Sequence, residues 1–461
     1  MQPQEIVDSA LAMSAGDGCV VVVAEQSEAN LRWAGNSLTT NGQMQSRSVT
    51  VVTTFDSAAG TSAGVVSRSV TTQDELGALV RACERAGRES GPADDAAPLV
   101  ANYANDDDWS AAPVQTSVAV FERFAPELGA AFDRWRKNDQ LLFGFAEHQV
   151  CSYFVGTSTG LRRRFDQPGG RVEVNGKSTD LGRSAWVGAH TRDFADVDLS
   201  AMVDGLDTRL GWARTRVDLP AGRYETILPP SAVADLMIYA YWNAAARDAE
   251  EGRSVFAGAA GGTRIGERLS ELPLTLFSDP QAGGLECPGF EIATRSDGGL
   301  QSVFDNGAPI TATEWLRGGT LVELARSRAW AAKTGASARP FVSNLLLECA
   351  DATKSLDEMV ADTERGLLLT CLWYIREVDP QSLLLTGLTR DGVYLVENGR
   401  ITGAVNNFRF NESPIGLLRR ASEAGRTEHT LSREWNDYFQ RAAMPPLRVP
   451  DFHMSTVSQA L

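Results

Sequence analysis

Histidine is scarce in this chain. Only His148, His190, His429 and His453 occur in 461 residues, and none lies within five residues of another. A helix with two histidines four or five apart, which aims both ring nitrogens at one zinc ion beside a glutamate base, is therefore absent. Cysteine is sparse too. Cys19, Cys83, Cys151, Cys287, Cys349 and Cys371 are widely separated, and none has a CxxC partner. They read as buried free thiols of a reducing cytoplasm. No strand-to-helix nucleophile elbow is expected, and Gly258-Ala-Ala-Gly-Gly262 lacks the lysine of a phosphate loop. No run of about 18 apolar residues occurs, so no membrane-spanning helix is expected. The first fifteen or so residues hold Glu5 and Asp8 without a basic cluster, unlike a secretory signal. A basic surplus is missing as well. With 59 acidic and 43 basic residues the net charge is -16, which disfavours nucleic-acid binding.

What is present is a mixed globular chain, 43% apolar and 22% charged, long enough for two or three domains. Residues 4–14 carry Ile6, Val7, Ala10 and Leu11 at helical spacing, and 19–24 is a β-branched run that reads as a buried strand. Further strands are expected at 31–34, 48–54 and 62–69, with Asn41-Gly42 as a hairpin turn. Thr72 is placed to cap a helix through about Ala86, with Leu76, Leu79, Val80 and Cys83 on one face. The first ninety or so residues thus read α-β-β-β-β-α.

Residues 89–108, rich in Gly, Pro, Ala and Asp, read as a loop or linker. A helix is expected over 118–137. Strands 148–156 and 161–165 should form a hairpin around Thr157-Ser-Thr-Gly160, followed by strands 171–177 and 184–189. Pro220-Ala221-Gly222 marks the main boundary. It separates an N-terminal α+β region (1–218, with a sub-boundary near 89–110) from a β-rich region (219–461). In the latter, strands are expected at 272–277, 289–294, 393–397 and 400–407, the last two joined by Asn398-Gly399, with helices at 356–363 and 413–424. The fold class is α+β.

The few candidate ligands read as structural. Glu147-His148-x-x-Cys151 lies in an expected strand, where His148 and Cys151 point to opposite faces. His190, His429 and His453 sit in polar surroundings and read as surface or hydrogen-bonded residues. The most distinctive stretch runs from Asp235 to Gly258. It opens as a helix bearing Met237, Ile238, Tyr239, Tyr241 and Trp242, with no histidine, and ends in a glycine-rich turn.

Several blocks in order carry a resemblance. Asn30-Leu-Arg-Trp-Ala-Gly-Asn-Ser-Leu-Thr-Thr-Asn-Gly42 comes first, then Arg253-Ser-Val-Phe-Ala-Gly258 and Leu274-Thr-Leu-Phe-Ser-Asp-Pro280. Gly319-Thr-Leu321 through Lys333-Thr-Gly335, closed by Gly335-Ala-Ser-Ala-Arg339, comes next. Thr363-Glu-Arg-Gly-Leu-Leu-Leu369 and Tyr394-Leu-Val-Glu-Asn-Gly-Arg-Ile-Thr402 complete the series. Over about 400 residues their order and spacing resemble the TldD/PmbA family, on its PmbA (TldE) side.

That resemblance implies an N-terminal α+β region and a β-rich C-terminal region. It also implies a cytoplasmic zinc metallopeptidase of two related subunits, acting on peptides and unfolded segments. In that family the TldD-type subunit carries a His-Glu-x-x-x-His helix and a later cysteine ligand. Counting back from Arg253-Ser-Val-Phe256 without gaps, the two histidine positions fall on Met237 and Trp242, and the glutamate position on Ile238. The cysteine would fall within 434–439, where none occurs. No catalytic or metal-binding residue is therefore expected in this chain. Zinc is expected in a TldD-type partner, with a homodimer as the other arrangement. Two alternatives stand beside this: a homo-oligomeric peptide-binding protein without a protease partner, and a peptidase whose site is rebuilt around His190 and Cys287.

Overall fold

The computed structural model describes residues 1–101 and 103–458. Helix α1 (Pro3–Met13) leads into three long strands: β1 (Gly18–Trp33), β2 (Leu38–Ser57) and β3 (Gly60–Arg68). Helix α2 (Gln73–Glu89) follows, capped by Thr72, whose hydroxyl accepts the Glu75 N–H while the Glu75 carboxylate accepts the Thr72 N–H. Helix α3 (Phe124–Lys137), strands β4 (Gln140–Thr157), β5 (Arg162–Ser178) and β6 (Ser184–Thr191), and helix α4 (Leu199–Trp212) complete this part. The six strands form one antiparallel sheet in the order β3-β2-β1-β4-β5-β6.

Three expectations are corrected here. The strands expected at 19–24 and 31–34 are one continuous strand, so the opening segment is α-β-β-β-α. The polar run 25–30 stays extended because β1 is hydrogen-bonded to β2 on one side and β4 on the other. Asn41-Gly42 is not a turn: it lies inside β2, opposite Leu31 and Asn30. The reversal comes earlier, where Gly35 and Asn36 have φ of 59° and 61°. Asn36 is held there by bonds to β4, donating to the Gln140 carbonyl and accepting the Leu142 N–H, each at 2.7 Å. The helix expected over 118–137 is broken after a short turn at Val118–Phe121 and restarts at Phe124.

Strand alternation gives this sheet two different faces. One carries Val21, Val23, Val51, Leu31, Trp33, Ala146 and Val172 and is covered by the four helices. The other carries Val20, Val22, Val52 and Val155, packed on Phe290, Val303 and Phe304, and then turns polar along β5 and β6. The hairpin at 157–160 forms as expected.

The described residues form two further sheets. One has six strands in the spatial order Thr320–Leu321, Thr313–Arg317, Leu274–Ser278, Leu345–Cys349, Ala442–Met444 and Glu428–Thr430. The other has ten. In it Leu447–Val457 lies between Phe408–Glu412 and Gly222–Leu228, and Gly222–Leu228 runs parallel to Arg365–Leu369. Asn398-Gly399 makes the expected tight hairpin, with φ of 49° and 74°. The strand expected at 289–294 does not form. Its backbone bonds are made locally to residues 307–310, with one isolated bridge from Phe290 to Pro309. With 22% helix and 39% strand the chain is of mixed α+β class. Among the described residues no helix is long and apolar enough to cross a membrane.

Helix α2 approaches β3 very closely. A Cβ on Gly64 would stand 2.0 Å from the Cys83 carbonyl oxygen and 2.5 Å from the Gly87 nitrogen, both backbone atoms. Cys83 Sγ bonds the Val51 and Gly64 carbonyls at 3.0 and 3.1 Å. Gly64→Ala should push helix and sheet apart and cost at least the roughly 1–3 kcal/mol typical of overpacking. Urea denaturation measures it; an unchanged midpoint would contradict this contact.

Candidate functional site

Helix α5 (Pro230–Trp242) starts five residues before the segment singled out in the sequence. Proline at its first position suits the helix N-terminus, where no N–H is needed. Residues 232–238, 240 and 241 are all buried. A helix apolar on every side has no solvent face and belongs inside a core. Here it lies in the cluster shared by the second and third sheets. Met237 and Ile238 are fully enclosed.

Segment 434–439 docks directly on this helix. The Asp235 carboxylate accepts the Glu434 N–H at 2.8 Å, and Trp435 Nε1 donates to the Asp235 carbonyl at 2.8 Å. Glu434 in turn accepts the N–H groups of Tyr374 and Ile375 at 3.0 and 3.1 Å. The space between helix and segment is filled by rings. Trp242 meets Trp435 at 5.2 Å and Phe439 at 6.4 Å between centroids, and Tyr239 meets Trp435 at 5.4 Å. Tyr241 stacks on Phe341 at 4.6 Å, and its hydroxyl donates to the Val342 carbonyl at 3.1 Å.

Zinc takes thiolate, imidazole or carboxylate ligands at about 2.0–2.3 Å. Indole, phenyl and aliphatic groups offer none of these, so the side chains at Met237, Ile238 and Trp242 do not fit the metal. Among the described residues no group of three or more His, Cys, Asp or Glu is arranged to hold an ion.

The remaining candidates are spread through the fold. His148 is on the helix-covered face of the first sheet, with both ring nitrogens engaged, by Thr116 Oγ1 at 2.7 Å and the Arg192 carbonyl at 2.8 Å. Cys151 is on the opposite face, its thiol pushed up to about 11 by burial. His190 and Cys287 both lie near Arg441. No hydrogen bond joins them, and burial pushes the Cys287 thiol up to about 11, far from a thiolate nucleophile. His453 lies in strand Leu447–Val457, and His429 comes close to His190.

Two pentapeptides do have the G-x-S-x-G spacing that the sequence reading passed over, Gly60-Thr-Ser-Ala-Gly64 and Gly156-Thr-Ser-Thr-Gly160. Neither joins a strand to a helix. The first lies within β3, where Ser62 Oγ donates to the Gly87 carbonyl. The second is a hairpin turn, where Ser158 Oγ accepts the Cys19 N–H. No histidine bonds either serine, so neither has the base a nucleophile needs.

Asp235 is the polar feature that the apolar pattern of the helix concealed. It is fully buried, and its second carboxylate oxygen has no partner. Burial drives its pKa well above the ordinary carboxylate range, with Glu434 nearby adding to the rise. The folded protein therefore keeps this proton to higher pH than the unfolded chain does. Below about pH 4 both states are protonated and nothing is lost. As pH rises from about 4 toward the raised folded pKa, the unfolded chain ionises while the folded chain keeps its proton, and native stability falls. Asp235→Asn keeps an acceptor for Glu434 but cannot ionise. Urea midpoints of wild type, relative to the variant, should decline between pH 4 and pH 7; a difference independent of pH would refute the assignment.

Comparison with known proteins matches residues 221–456 to the family model of the PmbA/TldA metallopeptidase C-terminal domain. No curated protein sequence matches the chain. Three solved structures share the fold nearly end to end. TldE from Thermococcus kodakarensis superposes with a TM-score of 0.78 at 14% identity, covering 98% of this chain and 99% of that one. A putative modulator of DNA gyrase from Thermotoga maritima gives 0.75 at 17%, covering 98% and 99%. Another from Bacteroides thetaiotaomicron gives 0.77 at 13%, covering 98% of each. At such identities the likeness is one of fold. The family match spans just over half of the chain, and with it the protein belongs to the TldD/PmbA metallopeptidase family.

Proposed function

We propose that this chain is a non-catalytic, TldE-like subunit of a cytoplasmic TldD/TldE-type zinc metallopeptidase that acts on peptides or unfolded segments. The zinc then resides in a TldD-type partner. The carrying observation is the packing of Trp242 against Trp435 and Phe439. Helix α5 and segment 434–439 are the two stretches on which the family resemblance puts the metal ligands. In this chain they meet through aromatic rings rather than through ligands.

An exposed apolar rim nearby supports a role in assembly. Strand Leu372–Asp379 is the free edge of the ten-stranded sheet. On it Tyr374 is 51% and Val378 57% exposed, and Tyr438 beside Phe439 is 78% exposed. Solvent-facing apolar side chains along a sheet edge, whose N–H groups at 374 and 375 are held by Glu434, suit a partner chain.

The purified chain alone should show neither stoichiometric zinc nor casein cleavage. Mixed with a TldD-type subunit from the same cell it should co-elute and support cleavage that a chelator abolishes. Chelator-sensitive proteolysis by the isolated chain would overturn the proposal.

A further inference from the structure

The polar end of the second face of the first sheet borders a cavity that the aromatic site does not use. Along β5, Gln167, Gly169 and Arg171 point the same way, and His190 on β6 sits directly opposite Arg171. Residues 284–286 and Arg441, from the C-terminal half, close over them. The enclosed space is about 190 Å³, lined among others by Gln167, His190, Arg192, Gly284, Glu286 and Arg441. This is well above the roughly 10–15 Å³ that admits one water.

Most charges around this cavity are matched. Arg171 pairs with Asp437 at 2.5 Å. Asp166 pairs with Arg164 at 2.8 Å and also accepts the Ser152 hydroxyl. Glu286 has Arg192 at 3.6 Å. Arg441 is the exception: among the described residues it has no carboxylate in ion-pair range and no side-chain hydrogen bond. Its guanidinium lies against β5, where a Cβ on Gly169 would come 3.3 Å from Nη2. The Cys287 thiol and the Tyr153 phenol are its nearby titratable neighbours, and burial holds both neutral at physiological pH. His429 flanks the far side, against Gly284.

Two neutral groups share this lack of partners. His190 Nε2 is buried without a hydrogen bond, and burial together with Arg441 pushes the ring down to about 3. Gln167 donates its amide N–H groups to the Pro168 and Glu286 carbonyls at 3.0 and 3.1 Å, which leaves its buried carbonyl oxygen without a donor. The Arg441 guanidinium is thus unmatched beside this void, and His190 Nε2 and the Gln167 carbonyl oxygen, enclosed within its wall, also lack partners. Buried polar groups and charges are normally paired, because leaving them bare is costly.

We propose that this cavity is a binding site for a small monocarboxylate, as found in a free amino acid or at the C-terminus of a peptide. Arg441 receives the carboxylate, which suits its planar fork of donors. His190, neutral beside it, adds no second charge. One uncompensated cation matches a monoanion, while Glu286 at the wall disfavours a dianion such as phosphate.

Calorimetric titration of the full-length chain tests this, using N-acetylglycine, glycine, N-acetylglycine methylamide and inorganic phosphate at constant ionic strength. N-acetylglycine or glycine should bind saturably, and the neutral methylamide and phosphate should not. Tighter binding of N-acetylglycine assigns the site to peptide ends; tighter binding of glycine assigns it to free amino acids. Arg441→Met should weaken binding at least tenfold. Gly169→Asp, which tethers a carboxylate beside Arg441, should do the same in a chain that keeps its circular dichroism spectrum. Absence of any carboxylate-selective binding by the wild-type chain, or unchanged affinity in both variants, would overturn the proposal.

Discussion

The enclosure of helix α5 is the constraint on which the C-terminal half depends. A helix with no solvent face must be covered on every side, and two sheets and a connecting segment are recruited to cover it. Asp235 fixes the last of these. Its carboxyl and its backbone carbonyl each take a hydrogen bond from segment 434–439, so one buried acid sets where Trp435 and Phe439 lie. Glu434, anchored by the same bonds, then satisfies the free N–H groups of Tyr374 and Ile375. One polar residue in an apolar helix thus aligns three parts of the chain that are far apart in sequence.

The same region relates family membership to the individual chain. The overall fold persists at 13–17% identity, because layers and apolar patterning tolerate wide substitution when volume is kept. Ligand chemistry is less forgiving, since a ring cannot replace a thiolate or an imidazole nitrogen. Fold and function can therefore part company at a handful of positions.

Features encoded by neighbouring residues were legible in the sequence. The Thr72 cap with Glu75, the Asn398-Gly399 hairpin and the turn at 157–160 depend on a few adjacent side chains and backbone angles. The apolar run of α5 marked it as buried. Features set by distant pairing were not legible. Residues 25–30 and Asn41-Gly42 look like loop and turn on their own, and only the flanking strands make them extended. Asp235 read as a helix-start residue, because nothing nearby announces the bond from Glu434. The cavity beneath Arg441 was invisible for the same reason: Gln167, His190, Gly284 and Arg441 meet only in the folded chain.

The position of Leu447–Val457 inside the ten-stranded sheet affects biosynthesis. This strand, the last described element in chain order, sits beside Gly222–Leu228, the strand that leads directly into α5. The N-terminal sheet has all six of its strands by Thr191 and is free to form during translation. The C-terminal half must wait, with its apolar helix uncovered, until the final strand emerges and separates two groups of waiting strands. The long sequence separation of these paired strands makes this half the slower to fold.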